Sequence, residues 1–219
     1  MVTMKKKKQA CQSAPGSVDL ISDLFEDVLN LILVRLPIRD VVRTSILSKK
    51  WRDKWISISD LVFDNDCLME GASEMEHAHV VNQVLKHHVG PICKFSCMFG
   101  VPSCSDIDRW VVFLSRNGIK KLTLTTKAYA NDVPSSIFYC QELTHLELFY
   151  GTLKVPSTFK GFHNLLLLNL CVKISEDAIA FLISKCPLLE RLKLKIEDFY
   201  QCLNIHAPNL RYFEFSGQF

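Results

Sequence analysis

The densest group of side chains able to ligate a metal or act as a nucleophile lies between residues 77 and 104. It comprises His77, His79, His87, His88, Cys93, Cys97 and Cys104. A tetrahedral zinc site wants close pairs such as C-x2-C, with a second pair at a fixed distance. Here three residues separate Cys93 from Cys97 and six separate Cys97 from Cys104. Cys97 also falls where a strand turns its side chains inward, a place suited to a small buried apolar group. A cysteine nucleophile needs a nearby histidine and an electropositive pocket. Cys171 and Cys186 carry no local signature of that kind. The chain has no glycine-rich dinucleotide loop, no phosphate-binding loop and no G-x-S-x-G turn, so hydride, phosphoryl and acyl transfer have no footing. The expectation is a protein that is not an enzyme and uses no metal or cofactor.

What the sequence does carry is a period. The pattern apolar-x-x-apolar-x-apolar recurs as Ile119-Leu122-Leu124, Leu143-Leu146-Leu148, Leu165-Leu168-Leu170, Leu189-Leu192-Leu194 and Leu210-Phe213-Phe215, with successive starts 24, 22, 24 and 21 residues apart. That spacing lies in the range of leucine-rich repeats. Ile92-Phe95-Cys97 fits 27 residues earlier, and Ile58-Leu61-Phe63 fits 34 residues before that as an irregular opening unit. Each unit predicts one short strand, and successive strands predict a curved parallel sheet whose return paths cross the convex side.

The linking segments agree with this reading. Residues 76–89 place Ala78, Val81, Val84, Leu85 and His88 on one helical face. Residues 106–116 do the same with Ile107, Trp110, Val111 and Leu114. Ser175 predicts a capped helix with Glu176 and Asp177 in its first turn, Ile179, Leu182 and Ile183 buried, and Pro187 as its stop. Val133-Pro134 and Val155-Pro156 predict extended or single-turn links instead.

If the repeat leucines face inward, the residues between and just after them face out on the concave side. The candidate target-binding residues there are Lys121, His145, Glu147, Phe149, Arg191, Lys193, Lys195 and Tyr212. Arg191, Lys193 and Lys195 read as one fully basic rung. Met98, Phe149, Leu167 and Tyr212 read as exposed interface anchors. Lys94, Ser96, Thr123, Thr125, Asn169, Cys171, Glu214 and Ser216 complete the outward set. Such a surface suits a peptide with acidic and apolar groups, or a phosphorylated one.

Composition sets the frame. Of 219 residues, 48% are apolar and 22% charged, and 26 basic against 23 acidic side chains leave a net charge of +3. This is a folded composition with no broad field for nucleic acid or an anionic membrane. The nine cysteines are unevenly spaced, no secretory leader pattern is seen, and the run Leu165–Leu168 is far too short to span a bilayer. The expectation is an intracellular protein of nucleus or cytoplasm. Residues 1–17, with Lys5–Lys8, predict a disordered basic tail.

Residues 19–55 are too apolar to stand alone. As one helix, Leu24, Val28, Leu29, Leu31, Ile32, Leu33 and Leu36 cover nearly the whole circumference, which demands burial on all sides. Ser22 or Asp23 predicts the first cap, Leu36-Pro37 the first stop. A short second helix is expected near Arg39–Thr44, and a third, capped by Ser48, carrying Trp51 and Trp55. The order of Leu24, Leu29, Leu36-Pro37, Val42, Ser45, Leu47, Ser48, Trp51 and Trp55 resembles the F-box, in the form found in plant F-box/FBD/leucine-rich-repeat proteins. The wording GPICKFS, IDRWVVFLSRNGIKKLTL, LTHLEL and CPLLERLKLK extends that resemblance over nearly the whole chain.

The resemblance implies an α/β protein: a three-helix F-box over residues 18–56, then a leucine-rich-repeat solenoid over residues 57–219. It further implies the substrate-recognition subunit of a Skp–cullin–F-box ubiquitin ligase, with a Skp-type adaptor as partner and, through it, a cullin–RING ligase. The residues expected to face the adaptor or support that face are Leu24, Phe25, Val28, Leu29, Ile32, Leu36, Pro37, Val42, Leu47 and Trp51. One position departs: the family usually has proline where this chain has Phe25, which predicts slightly weaker adaptor binding. The family commonly continues into further repeats and an FBD domain, so a chain closing on Phe213, Phe215 and Phe219 is expected to be truncated. Two rival readings are a repeat-based binding module outside any ligase, with a drifted F-box, and a small-ligand co-receptor.

Overall fold

The computed structural model describes residues 24–36, 38–47, 51–64, 73–101, 104–126, 132–199 and 202–218. The expected basic tail, the Ser22 or Asp23 cap, Pro37, Ser48 and Phe219 lie outside them. The chain opens with α1 (Glu26–Leu33) and α2 (Ile38–Thr44), followed by a 3-10 turn at Lys54–Ser57. Seven strands then succeed one another: β1 (Asp60–Phe63), β2 (Lys94–Val101), β3 (Lys121–Thr126), β4 (His145–Thr152), β5 (Leu167–Lys173), β6 (Arg191–Phe199) and β7 (Tyr212–Gln218). They form one sheet in sequence order, and every neighbouring pair is parallel.

The register follows the repeat. Leu61, Phe95, Leu122, Leu146, Leu168, Leu192 and Phe213 stand side by side across the sheet, as do Phe63, Cys97, Leu124, Leu148, Leu170, Leu194 and Phe215. From β1 to β6 all of these side chains are buried. Because successive residues of a strand point to opposite faces, two apolar positions two apart in every repeat put one continuous apolar layer on one face. Parallel neighbours require a crossover, and the links supply it.

The crossovers with helical periodicity are helices: α3 (Glu74–His87), α4 (Cys104–Arg116) and α5 (Glu176–Ser184). Their predicted apolar faces are the buried ones. Ala78, Val81, Val84 and Leu85 are buried in α3; Ile107, Trp110, Val111 and Leu114 in α4; Ile179, Leu182 and Ile183 in α5. Ser175 caps α5 by accepting the Ala178 N–H, as its sequence position predicts. In α3, Ser73 and Glu76 close a reciprocal capping box. The link from Pro134 is one 3-10 turn, Ser135–Tyr139, whose Phe138 meets Phe159 edge-on and stacks with Phe162 in an aromatic cluster. Aromatic side chains fill there the volume that a helix fills elsewhere.

The opening segment departs from expectation in two ways. The N-cap of α1 is Phe25, without a side-chain cap. Among the described residues, the segment expected as the third helix shows the 3-10 turn carrying Trp55, with Trp51 in the turn before it. The cause is the short path into the sheet. Ile58 is already extended, the Val89 N–H donates to the Ile56 carbonyl, and the Cys93 N–H donates to the Ser59 carbonyl. These bonds hold the chain extended from Ile58 onward, so no helical turn follows Ser57. At the end of α1, the Arg35 and Leu36 N–H groups bond to Ile32 and Leu33 carbonyls three residues back, tightening the last turn just ahead of Pro37.

Candidate functional site

The cysteine and histidine group does not assemble. Among the described residues, no three of His, Cys, Asp and Glu are placed to hold a metal ion. Cys97 is buried, and desolvation pushes its thiol up to about 12; burial does the same to Cys140 and Cys186. Such thiols stay protonated and unreactive. His77 packs edge-on against Phe99, His87 Nδ1 meets the Gln83 carbonyl and His88 Nε2 the Ile58 carbonyl. These are structural contacts.

Two surfaces remain. The first is built by α1, α2 and the turns after them. Leu29 and Leu33 lie four residues apart on α1 and are wholly buried, with Ile38 and Val41 of α2 and Trp51 beside them. Burying that stripe leaves the other apolar residues of α1 outside. Phe25 is 83% exposed and Leu31 65%, and Val28, Ile32, Val34 and Leu36 are exposed too. After α2, Ile46 is 85% exposed and Leu47 61%. The Lys54 ammonium pairs with the Glu26 carboxylate and ties the start of α1 to the 3-10 turn.

The predicted adaptor set therefore divides. Phe25, Val28, Ile32, Leu36 and Leu47 are presented to solvent. Leu24 and Val42 are half-buried against the core, and Leu29 and Trp51 lie inside it as support. Leu31, Val34 and Ile46 join the exposed patch although the motif did not single them out. Leu31 follows from the helical wheel once Leu29 and Leu33 are fixed inward. Ile46 lies in a turn, where periodicity says nothing.

Phe25 sits at the N-cap, one residue before the first helical position, with φ −61° and ψ 148°. That φ is the one a proline ring imposes. The Phe25 carbonyl accepts the Leu29 N–H at 3.1 Å, a bond proline would keep. Phe25→Pro is expected to raise stability by about 0.4–1 kcal/mol by restricting the unfolded chain. Denaturant unfolding checks this; a loss of similar size would mean that the phenylalanine N–H or ring is needed by the fold.

The second surface is the other face of the sheet. Lys94, Lys121, His145, Leu167, Arg191 and Tyr212 stand in register across β2 to β7. Two residues along each strand run Ser96, Thr123, Glu147, Asn169, Lys193 and Glu214. All eight predicted target-binding residues lie on this face. Lys121, Arg191, Lys195 and Tyr212 are exposed, and His145, Glu147, Phe149 and Lys193 half-buried.

Five expectations for this face need correction. Ser96 and Cys171 are buried. Phe149 and Leu167 are half-covered rather than open anchors. The basic rung is also not uniformly free. Lys193 Nζ pairs with Glu214 Oε2 at 2.9 Å and lies 5.5 Å from the Tyr212 ring centre, while the Tyr212 hydroxyl donates to the same carboxylate at 2.7 Å. The sequence period names Lys193 and Glu214 separately; only the register places them side by side. Those bonds hold the Glu214 carboxyl below its ordinary range and lift Lys193 above its own. Glu147 accepts from Asn169 Nδ2 at 3.0 Å. His145 is driven below its ordinary value by burial, then by Lys121, with Arg191 acting in the same direction and Glu147 opposing.

The geometry thus offers an apolar patch on the helices and a polar, partly cationic sheet face, and comparison with known proteins matches each half. The F-box domain family matches residues 21–62. The family described as FBD-associated F-box protein At5g56370, LRR repeats, matches residues 107–219. Similar curated proteins include the F-box/FBD/LRR-repeat protein At1g13570 of Arabidopsis thaliana, 44% identical over 209 residues that make up 93% of this chain and 50% of that protein. F-box/LRR-repeat protein At3g03360 of the same plant is 30% identical over 203 residues, 82% of this chain and 40% of its own. F-box/FBD/LRR-repeat protein At4g26340 is 32% identical over 190 residues, 83% of this chain and 45% of its own. The chain thus spans half or less of the length of these relatives. With an F-box matched at its helices and FBD-associated repeats matched along its sheet, the chain belongs to the family of FBD-associated F-box/leucine-rich-repeat proteins.

Proposed function

We propose that the chain is the substrate-receptor subunit of a Skp–cullin–F-box ubiquitin ligase, its helical segment docking a Skp-type adaptor and its repeats holding a target protein. The observation that carries this reading is the exposed apolar patch of Phe25, Leu31, Leu36, Ile46 and Leu47, on the part of the chain that the F-box family matches. Apolar side chains gathered this densely outside a core mark an interaction surface. The subunit does no bond chemistry. It raises the effective concentration of target lysines beside a ubiquitin-loaded enzyme.

Co-expression with a plant Skp-type adaptor tests the reading. A stable complex that elutes as one species on size exclusion, and that recruits a cullin, is the expected result. Recovery of the chain alone, at micromolar concentrations of both proteins, would sink it. The rival reading, a binding module outside any ligase, draws on Phe25 standing where the family usually has proline. Capture of a target without adaptor or cullin would favour that rival.

A further inference from the structure

The sheet face carries cations that its own carboxylates do not neutralise. Lys94, Lys121, His145 and Arg191 occupy one row across β2, β3, β4 and β6, with Leu167 of β5 between the last two. Among the described residues, Lys94, Lys121 and Arg191 form no ion pair. The acidic groups of the same face are fewer: Glu214 is paired with Lys193 and accepts from Tyr212, while Glu147 accepts from the neutral Asn169 amide and keeps its charge in the next row. Asp60, beside Lys94 at the β1 end, receives the Ser59 hydroxyl at 3.3 Å. The positive charge therefore runs across the strands as well as along the β6 rung, where Lys195 is exposed and Lys193 is the paired member.

We propose that this row receives an extended, carboxylate-rich peptide segment of the target, laid across the strands from β2 to β6. The claim rests on reading the repeats as the target-binding part of the chain. Neighbouring strands stand about 4.8 Å apart, so Lys94 and Arg191, four intervals apart, are separated by about 19 Å. An extended peptide rising about 3.3 Å per residue covers that length in about six residues. Its acidic groups fall over Lys94 and Lys121 at one end and Arg191 at the other. An apolar residue between them falls over Leu167, which is half-buried and offers a shallow greasy step in the row. His145 lies in the same row: burial first, then Lys121 and Arg191, disfavour its protonation, against the opposing charge of Glu147. A nucleic acid suits the row less well, because the chain's net charge is only +3 and Leu167 interrupts the cations.

The test uses the full chain and a fluorescein-labelled nine-residue peptide whose same-facing positions, every second residue, carry two glutamates near one end, then a leucine, then a glutamate near the other end. Fluorescence anisotropy is expected to show binding that weakens with salt, and about tenfold weaker binding of the counterpart with glutamine for glutamate. Lys121→Glu with Arg191→Glu is expected to weaken binding of the acidic peptide about tenfold or more. Lys121→Gln with Arg191→Gln should act in the same direction, and Lys160→Glu, in the link between β4 and β5, should leave binding unchanged. Adaptor recovery is followed in parallel. Equal binding of both peptides, full binding by both double variants, binding of a serine-phosphorylated peptide alone, or displacement by an RNA oligomer at lower concentration than the free acidic peptide would each overturn the assignment. Loss of adaptor recovery with selective peptide binding intact would count against the ligase reading and for this one.

Discussion

Replacing Leu36 and Ile46 together by aspartate is expected to abolish recovery of the Skp-type adaptor while the sheet stays folded. Neither side chain belongs to the core: Leu36 is 37% exposed and Ile46 85%. Exposed positions away from caps and cores usually change stability by no more than about 0.5 kcal/mol. In a complex the same positions are dry. A carboxylate carried into an apolar interface without a partner costs several kcal/mol, and two of them exceed what an ordinary interface spares. The expected loss is at least about a hundredfold in affinity, since hot-spot losses run to about 2 kcal/mol or more each. Circular dichroism melting and co-purification, run on the same preparation, separate the two effects. Unchanged adaptor recovery with an unchanged melt would show that the exposed patch serves something else.

Trp110→Ala is the substitution expected to damage the fold most. Trp110 is fully buried in α4, its ring centre 6.2 Å from that of Phe95 on β2, which in turn lies 5.6 Å from Phe63 on β1. Its Nε1–H donates to Asn82 Oδ1 of α3 at 2.8 Å. One side chain thus joins two crossover helices to the sheet. Truncation removes a large apolar surface, leaves a cavity and strands the Asn82 oxygen, which together cost about 3–5 kcal/mol. Against a typical domain stability of about 5–15 kcal/mol, that is a large share. Trp110→Phe keeps most of the volume and loses the hydrogen bond, so a smaller loss of about 1–3 kcal/mol is expected. Urea unfolding measures both. A loss below about 1 kcal/mol for the alanine variant would contradict the packing described for α4.

The strands were the most legible part of the sequence. Each of the seven periodic triplets coincides with an observed strand, because two apolar residues two apart, repeated every 21 to 27 residues through the regular part, have one efficient solution: a parallel sheet with one face sealed. Ser175 and the apolar faces of α3, α4 and α5 were readable for the same reason, since capping and helical spacing are local. The third helix was not. Trp51 and Trp55 have helical spacing, yet among the described residues there only a turn and a short 3-10 segment form before the chain extends into β1. The candidate sites were half legible. Alternation along a strand says which side a residue faces, so all eight target-binding candidates fell on the right face. It says nothing of depth or of neighbours from distant repeats, so the burial of Ser96 and Cys171 and the tie of Lys193 to Glu214 emerged only from the register. Likewise the F-box wording named Leu29 and Trp51 beside Phe25 and Leu36 without separating those that support the patch from those that form it.

Leu29, Leu33 and Trp51 belong to the same continuous hydrophobic core as the repeat leucines out to β6. Among the described residues, the helices and the sheet share that core. A receptor built on a flexible tether would let its cargo sweep a wide volume, and almost any lysine could be modified in time. A receptor whose two ends share one core works instead as a rigid bracket. On the proposed reading, cargo on the sheet would be held at one bearing and one range from an adaptor on the helices. Which lysines are modified then becomes a question of where they sit on the cargo, and a lysine on the far side of a bound target would escape however long it stayed.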